Sequence, residues 1–268
     1  MLLRTSLEFL PTLKISTAVE TEKQRKPAQP LRAGPCLRFK KGGVIGTMMA
    51  TPVLRIDKAV IGFESDAPLL VDVDLEISPG EIIGVIGRSG IGKSSLLRTI
   101  AGLLNPISGE ITVPVGKGEI GYIPQRLGLI NHQTVGYNVI MGALPRAPFW
   151  QTLFSLPGPE LRQSARDAIE AVGLSDKVLD QVSQLSGGQQ QRVAIARSMV
   201  QQPQILLADE CLGELDSETA KEIIALIQKL AKEENIAIII VDHNPVRVAT
   251  FCDRVLHVKG NRIEEVNI

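Results

Sequence analysis

The segment "GRSGIGKS" at residues 87–94 constrains the fold of this chain more than any other feature. It matches the phosphate-binding pattern G-x-x-x-x-G-K-[S/T], in which a glycine-rich loop joins a buried strand to a helix. The apolar segment 81–86 supplies the strand, and the helix is expected to open at Lys93. Backbone N–H groups of such a loop can close around nucleotide phosphates. The context disfavours a plain glycine turn and predicts a nucleotide-binding α/β core.

The loop offers several candidate ligands for a nucleotide. Lys93 brings a positive charge to the phosphates, and the Ser94 hydroxyl can ligate Mg²⁺. The candidate nucleotide-binding residues here are Gly87, Arg88, Ser89, Gly90, Ile91, Gly92, Lys93, Ser94 and Ser95.

Three further patterns predict the architecture around this loop. The segments "EIIGVIG", "QILLAD" and "AIIIVD" are short, continuously apolar and separated by helical stretches, which is typical of buried parallel strands. The segment "VDVDLEI" alternates, so Val71, Val73, Leu75 and Ile77 should share the buried face of an antiparallel strand. Residues 127–182 are mainly helical, with a proline-rich interruption. We therefore predict an α/β fold with a mainly parallel sheet, an antiparallel β flap and a helical subdomain at about 127–182.

One apolar strand ends in acidic residues, in "ILLADE" at 205–210. A carboxylate at the end of a buried strand is costly to desolvate unless a cation or hydrogen bonds compensate it. We expect Asp209 to hold Mg²⁺ through water. Glu210 is the candidate to orient and deprotonate an attacking water.

The segment "SETAKEIIALIQKLAKEE" at 217–234 has the spacing of an amphipathic helix. Behind a start at Asp216 and Ser217, it puts Ala220, Ile223, Ile227 and Leu230 on one helical face.

The segment "QLSGGQQQR" at 184–192 carries a glycine pair before the helical run "VAIARSMV". Glycines just before a helix leave its first backbone N–H groups exposed, which creates a site for an anion.

The order of these motifs resembles that of the ATP-binding cassette (ABC) ATPases. The phosphate-binding loop, a "YIPQ" glutamine, LSGGQ, the strand ending in Asp-Glu and a strand-end histidine follow one another across residues 53–266. The resemblance implies ATP hydrolysis with ATP and Mg²⁺, catalytic roles for Lys93, Gln125, Glu210 and His243, and metal contacts from Ser94, Gln125 and Asp209.

The resemblance also implies further nucleotide contacts. Phe63 takes the place of the aromatic residue that stacks on adenine, and Asp216 lies in the loop that crosses between subunits. The signature residues are Ser186, Gly187, Gly188 and Gln189. Each role has an alternative: Phe63 as a core residue, Gln125 as a solvated turn residue and His243 as a hydrogen-bonded histidine at a strand end.

The signature motif predicts that the chain works in pairs. The helix after Gly188 leads back toward the strand of Glu210, which should hold the signature away from this chain's own phosphate loop. Its N–H groups would then reach the γ-phosphate of ATP bound to a second copy. Expected partners are that second copy, transmembrane permease subunits and, as a further option, a substrate-binding protein. The net charge of zero provides no general basic field, and we expect no nucleic-acid partner.

Two stretches depart from the pattern of the family. "DECLGELD" has Cys211 and Leu212 where Pro-Thr is usual, and Glu214 adds a negative charge near the expected subunit seam. Asp242 precedes His243 where threonine is more usual. Because Asp209, Glu210 and Asp216 are intact, we expect turnover at an altered rate, although a scaffold that binds ATP without hydrolysing it is an alternative. Cys211 is expected to be a small buried filler, and the short segment before "YIPQ" implies a trimmed flap.

Residues 1–47 differ from the rest, with nine Lys/Arg against three Asp/Glu and many prolines and glycines. We expect residues 1–50 to be a disordered or mis-called extension and 51–268 to be the ATPase domain. Residues 1–47 fit three explanations: a transit peptide, a basic arm on anionic lipid, or a start codon assigned too early, which we favour. The longest apolar run is far shorter than the roughly 18 residues of a membrane span. The resemblance to ABC ATPases implies a peripheral location at the cytoplasmic face of the inner membrane, and organellar targeting by residues 1–47 is the alternative.

Few segments of the sequence indicate which solute is transported. The stretch from "VGYNVIM" to "EAVGL" resembles phosphonate-import ATPases, and Phe149 and Trp150 there are expected either to dock on a membrane partner or to fill the subdomain core. Other segments, such as "LDSETAKEI", resemble lipoprotein and macrolide exporters. A soluble ATPase acting on DNA or ribosomes is disfavoured because no long insert, zinc module or second cassette is present.

Overall fold

The predicted apolar strands lie next to one another in a single sheet. The computed structural model describes residues 51–113, 119–144, 158–213 and 215–266. Residues 1–50, Phe149, Trp150 and Glu214 lie outside the described residues, so the predictions made for them stay predictions, as does the boundary near residue 50. The described strands are β1 Leu54–Ile61, β2 Leu70–Ile77, β3 Ile82–Gly87, β4 Ser108–Thr112, β5 Ile120–Ile123, β6 Ile205–Asp209, β7 Ala237–Val241, β8 Arg254–Lys259 and β9 Arg262–Val266.

Helices cover the sheet and form a separate group beside it. The described α-helices are α1 Lys93–Ile100, α2 Val135–Met141, α3 Pro159–Ala171, α4 Gly187–Met199, α5 Ser217–Glu233 and α6 Pro245–Ala249. Helix α1 opens at Lys93, as predicted. Within the described residues, no helix is long and apolar enough to cross a membrane.

The main sheet has six strands in the order β5-β6-β7-β3-β8-β9. Every neighbouring pair is parallel except β8 and β9, which are antiparallel at the edge. All five residues of β6 and all five of β7 are buried. The prediction of a mainly parallel sheet with strands buried on both faces is confirmed.

The antiparallel flap is a three-stranded sheet with the order β2-β1-β4. Residues 73–77 of β2 alternate between buried and exposed as predicted, but Val71 is only half-buried, and the fully buried residue is Leu70. The reason is a bulge: Asp72 has a φ of 53°, and the pairing with β1 shifts register there. The prediction that Val71 belongs to the buried face is therefore wrong.

Two hydrophobic clusters separate the faces of the main sheet. Adjacent residues on a strand point to opposite faces, and Leu206 of β6 packs with the helices α2 to α5 whereas Leu207 packs with α1 and the flap. Ile238 and Ile239 of β7 divide in the same way. The flap and α1 thus cover one face, and helices α2 to α5 cover the other.

Helices α2 to α5 are held by packing and by hydrogen bonds of a buried side chain. Helices α2, α3 and α4 contact one another, and the buried Asn138 ties α2 to the preceding loop through hydrogen bonds to both backbone groups of Ile130. In α5 the buried face contains Ala220, Ile223, Ile227 and Leu230, as predicted, together with Leu226 and Ala231.

Helix α6 sits directly on β3, and Gly84 makes this close approach possible. A Cβ atom at Gly84 would lie 2.0 Å from Val248 Cγ1 and 3.0 Å from Cys252 Sγ. We predict that Gly84→Ala lowers the free energy of unfolding by about 1–3 kcal/mol because the added methyl overpacks this contact. Denaturant unfolding of Gly84→Ala and of Gly84→Ala/Val248→Ala checks the cause. The double variant should recover part of the loss, and a double variant less stable than the single one would contradict the account.

The two described cysteines, the buried Cys211 and the half-buried Cys252, both have raised pKa values. Burial raises the pKa of Cys211 to about 12, and burial, together with the nearby charge of Asp253, raises the pKa of Cys252 to about 12. At pH 8 the thiolate fraction of each is then on the order of 1 in 10,000. We predict that a Cys36→Ser variant shows no fast-reacting thiol toward Ellman's reagent at pH 8 when folded and two thiols in denaturant. A rapidly labelled cysteine in the folded variant would refute this.

Candidate active site

The loop between β3 and α1 is organised around Lys93. The Lys93 side chain is buried, and its Nζ donates to the backbone oxygens of Gly87 and Arg88, both at 2.9 Å. Gly92 begins the helix with a φ of 115° and offers no side-chain cap, so the first N–H groups of α1 have no side-chain partner from their capping residue. Backbone N–H groups and an ammonium group at one helix start are suited to bind phosphate.

Asp209 ties this loop to the end of β6. Its side chain is 3% exposed, and one carboxylate oxygen accepts a hydrogen bond from Ser94 Oγ at 3.0 Å. The other oxygen lies 3.4 Å from the hydroxyl of Tyr122 on β5. Burial, followed by the negative charge of Asp209, raises the pKa of Tyr122. Sequence reasoning quoted "YIPQ" for its glutamine and missed the tyrosine, since only the strand pairing shows that it faces Asp209.

Glu210 is held in an unusual backbone conformation. Its φ of 50° is in the left-handed region, which costs a non-glycine residue on the order of 1–3 kcal/mol and is frequent at functional sites. Its N–H donates to Val241 O, and its carboxylate accepts from Gln125 Nε2 at 3.0 Å. The structure therefore places Gln125 and Glu210 in contact. Gln125 is itself exposed at a bend, so its predicted catalytic role and the alternative of a solvated turn residue both stay predictions.

His243 follows β7 and remains open to solvent. Its side chain is 61% exposed, and the nearest acidic atom, Asp242 Oδ1, lies 3.8 Å from its Nδ1, too far for a hydrogen bond. Gly213 lies beside the ring, because a Cβ there would be 3.5 Å from His243 Cε1. Among the described residues no hydrogen bond satisfies this imidazole, which argues against the alternative of a hydrogen-bonded histidine.

The signature segment begins α4 with a capping box. Ser186 Oγ accepts from Gln189 N at 3.3 Å, and the Gln189 side chain accepts from Ser186 N at 3.0 Å. Both glycines lie inside the first helical turn, whereas the sequence suggested that they precede the helix. With Ser186 as its cap, the helix begins at Gly187, two residues earlier than expected. Gly187 is exposed with open space around it, and a Cβ on Gly188 would lie 2.3 Å from Thr219 Cγ2.

Asp216 performs a local role in this chain. Its Oδ1 accepts from the N–H groups of Glu218 and Thr219, which caps α5. Hydrogen bonds to its carboxylate lower the pKa of Asp216, and the hydrogen bond with Thr219 has the largest effect. Thr219 also contacts Gly188, so the start of α5 packs against the start of α4. The predicted contact of Asp216 across subunits stays a prediction.

Phe63 follows β1 and is 68% exposed. The alternative that it is a core residue is therefore wrong. A large aromatic side chain so open to solvent is available to stack on a planar ligand.

The structure thus brings most of the predicted residues together at the carboxyl ends of neighbouring strands. Contacts join the phosphate loop to Asp209, and Gln125 to Glu210. A groove of about 710 Å³ is lined by Gln125, Gly187 and Glu210 among others. Among the described residues, no hydrogen bond joins the signature residues to the loop 87–95.

Two arginines near the site were missed from the sequence. Arg197 of α4 donates to the backbone oxygens of Leu127 and Gly128 at 2.6 and 2.7 Å, which fixes the segment after Gln125 on the signature helix. Arg247 of α6 pairs with the buried Asp242. The unusual Asp242 was noticed, but no local pattern marks a partner five residues away across a helix start.

Comparison with known proteins agrees with this geometry. The family model described as ABC transporter matches residues 70–213. The chain is 37% identical to the Phosphonates import ATP-binding protein PhnC 2 of Pseudomonas savastanoi pv. phaseolicola over 212 residues, which are 72% of this chain and 76% of that protein. It is 35% identical to the Phosphonates import ATP-binding protein PhnC of Stutzerimonas stutzeri, over 80% and 83% of the two chains.

Solved structures show the same fold. A putative metal-chelate type ABC transporter in an inward-facing conformation superposes with a TM-score of 0.73 at 25% identity, over 81% of this chain and 84% of that one. The ATP-binding cassette MJ0796, in a dimeric post-hydrolysis state bound to ADP and Pi, superposes with a TM-score of 0.66 at 28% identity, over 80% and 98% of the two chains. This chain belongs to the ABC transporter family and is an ATP-binding cassette ATPase.

Proposed function

We propose that this chain is the motor subunit of an importer, in which two copies close around two ATP molecules and drive a separate permease. One observation carries the proposal. The phosphate loop, Asp209, Gln125 and Glu210 form one connected set within the chain, while Ser186 and Gly187 remain exposed. The chain supplies most of a hydrolytic site and presents the rest outward.

The first step is binding of the triphosphate. Lys93 and the backbone N–H groups of residues 88–94 bind the β- and γ-phosphates, and the exposed Phe63 stacks on the adenine. Ser94, Asp209 and Gln125 would hold Mg²⁺. When bound, the ion would neutralise part of the negative charge of the phosphates. The Ser94 and Asp209 oxygens, 3.0 Å apart, fit this role. In the described parts of the chain, no group of three His, Cys, Asp or Glu residues offers a complete metal cage, and Mg²⁺ bound to phosphates needs none.

The second step is attack of water on the γ-phosphorus. Glu210 takes the water proton as the new P–O bond forms and the bond to the ADP oxygen breaks, which gives ADP and inorganic phosphate. Gln125 donates to the carboxylate as a neutral amide, which orients Glu210 and leaves it able to accept a proton. His243, exposed beside Gly213, reaches toward the γ-phosphate.

The second copy completes the site. The start of α4 offers backbone N–H groups at Gly187 and Gly188, and Gly187 is exposed without neighbours within 4 Å of its Cβ position. These donors, with the Ser186 hydroxyl, contact the γ-phosphate held by the partner. Asp216 lies at the seam, and its contact with α4 through Thr219 links the two segments. The dimeric structure of the related cassette supports this arrangement.

The permease and the solute follow from the relatives. Two curated relatives above 30% identity are phosphonate-import ATP-binding proteins, so we assign a phosphonate or a chemically similar small anion as the transported solute. The helical part, α2 and α3 with the segment after Gln125, contacts the permease at the cytoplasmic face of the membrane. A substrate-binding protein would deliver the solute to the permease from the other side.

The role of Glu210 can be tested on the purified full-length chain. We expect Glu210→Gln to reduce steady-state ATP hydrolysis by about 100-fold or more, because the general base is lost, while fluorescent ATP binding stays within a few-fold. Glu170→Gln, an exposed carboxylate on α3, is the matched control and should hydrolyse ATP like the wild type. Removal of Mg²⁺ with EDTA should abolish hydrolysis. Equal activity of Glu210→Gln and wild type would show that the mechanism is wrong.

A further inference from the structure

A buried ion pair lies directly behind the exposed histidine. Asp242 is 1% exposed. Arg247 of α6 donates two hydrogen bonds to its carboxylate, from Nε to Oδ2 at 2.8 Å and from Nη2 to Oδ1 at 2.9 Å. The N–H of Asn244 also donates to Oδ1 at 2.8 Å. A buried carboxylate is stable only when it is paired and hydrogen-bonded, and here three donors satisfy it.

The same carboxylate lies close to His243. Asp242 Oδ1 is 3.8 Å from His243 Nδ1, and among the described residues the only basic side chains with a nitrogen within 4 Å of the Asp242 carboxylate are those of Arg247 and His243. Arg247 and Asn244 both donate to Oδ1. In the part of the chain that the structure describes, no hydrogen bond reaches the imidazole, and the His243 side chain is 61% exposed.

Across the described ranges, no further basic side chain pairs with Asp242. Cys211 faces the pair from the end of β6 as a neutral, buried thiol, and Gly213 lies against the His243 ring. Asp242 is further fixed by its own N–H, which donates to Val85 O on β3. If Arg247 were absent, His243 would be the one basic side chain within 4 Å of the buried carboxylate among the residues that the structure describes.

We propose that Arg247 is a positioning residue for ATP hydrolysis: by neutralising Asp242 it prevents that carboxylate from capturing His243 and keeps the imidazole free to meet the γ-phosphate. This inference rests on the proposed role of His243. It also explains how the chain accommodates an acidic residue at position 242, since the arginine accompanies it.

The experiment compares four variants of the full-length chain in steady-state ATP hydrolysis: Arg247→Met, Arg247→Lys, Asp242→Thr/Arg247→Met and His243→Ala. We expect Arg247→Met to lower kcat at least about tenfold, with the KM for ATP within about twofold, because phosphate binding by the loop is untouched while the histidine is displaced. Arg247→Lys keeps the charge without the two-pronged geometry and should lie between wild type and Arg247→Met.

The double variant separates positioning from general structural damage. Removing Asp242 together with Arg247 leaves no buried charge to capture the histidine, so kcat should return to within about threefold of wild type. Thermal unfolding of every variant accompanies the kinetics. If Arg247→Met does not fold, the same comparison is made with Arg247→Lys, whose kcat must then be reduced and must recover in Asp242→Thr/Arg247→Lys.

Three results would overturn the inference. One is an Arg247→Met enzyme with wild-type kcat while His243→Ala is inactive, which leaves the proposed function standing. Another is a loss of kcat in Arg247→Met that Asp242→Thr/Arg247→Met does not recover. A loss of kcat that comes with a parallel rise in the KM for ATP counts in the same way. The third is a fully active His243→Ala, which removes the role of His243 from the proposed function and this inference with it.

Discussion

The burial of Asp209 at the end of β6 is the constraint on which the rest of the site depends. A carboxylate that is 3% exposed must find compensation, and it finds the Ser94 hydroxyl at 3.0 Å and the Tyr122 hydroxyl at 3.4 Å. These contacts join α1, β5 and β6, three elements far apart in sequence. Because the strands are parallel, their carboxyl ends meet at one edge of the sheet, and the phosphate loop opens at that edge.

Hydrogen bonds and an ion pair also link the strand ends beside Asp209. Glu210 has a left-handed backbone conformation, and its N–H donates to Val241 O. This hydrogen bond connects the ends of β6 and β7. Asp242 carries a second buried carboxylate at the end of β7, compensated by Arg247. The edge of the sheet therefore concentrates acidic groups, each with a hydrogen-bond partner, and a divalent cation bound there would offset part of their negative charge.

Much of this could be predicted from the sequence because its signals are local. The loop pattern of residues 87–94, the continuous apolar strands and the periodicity of α5 each lie within one segment, and the structure confirms them. The alternation of β2 was predicted only in part, because the bulge at Asp72 depends on pairing with β1. The start of α4 was displaced by the cap at Ser186. Tyr122, Arg197 and Arg247 could not be predicted, since their partners are brought close only by the tertiary fold.

The central claim is that one chain holds an incomplete site, which a second copy completes through Ser186 to Gly188. Its most direct test is the mass of the Glu210→Gln chain in solution, measured by light scattering with and without saturating Mg-ATP. The account predicts twice the 29.0 kDa chain mass only with nucleotide, two ATP molecules per particle, and a return to the single-chain mass when Ser186→Arg is added. A single-chain mass at saturating Mg-ATP, or a dimer indifferent to Ser186→Arg, would contradict it.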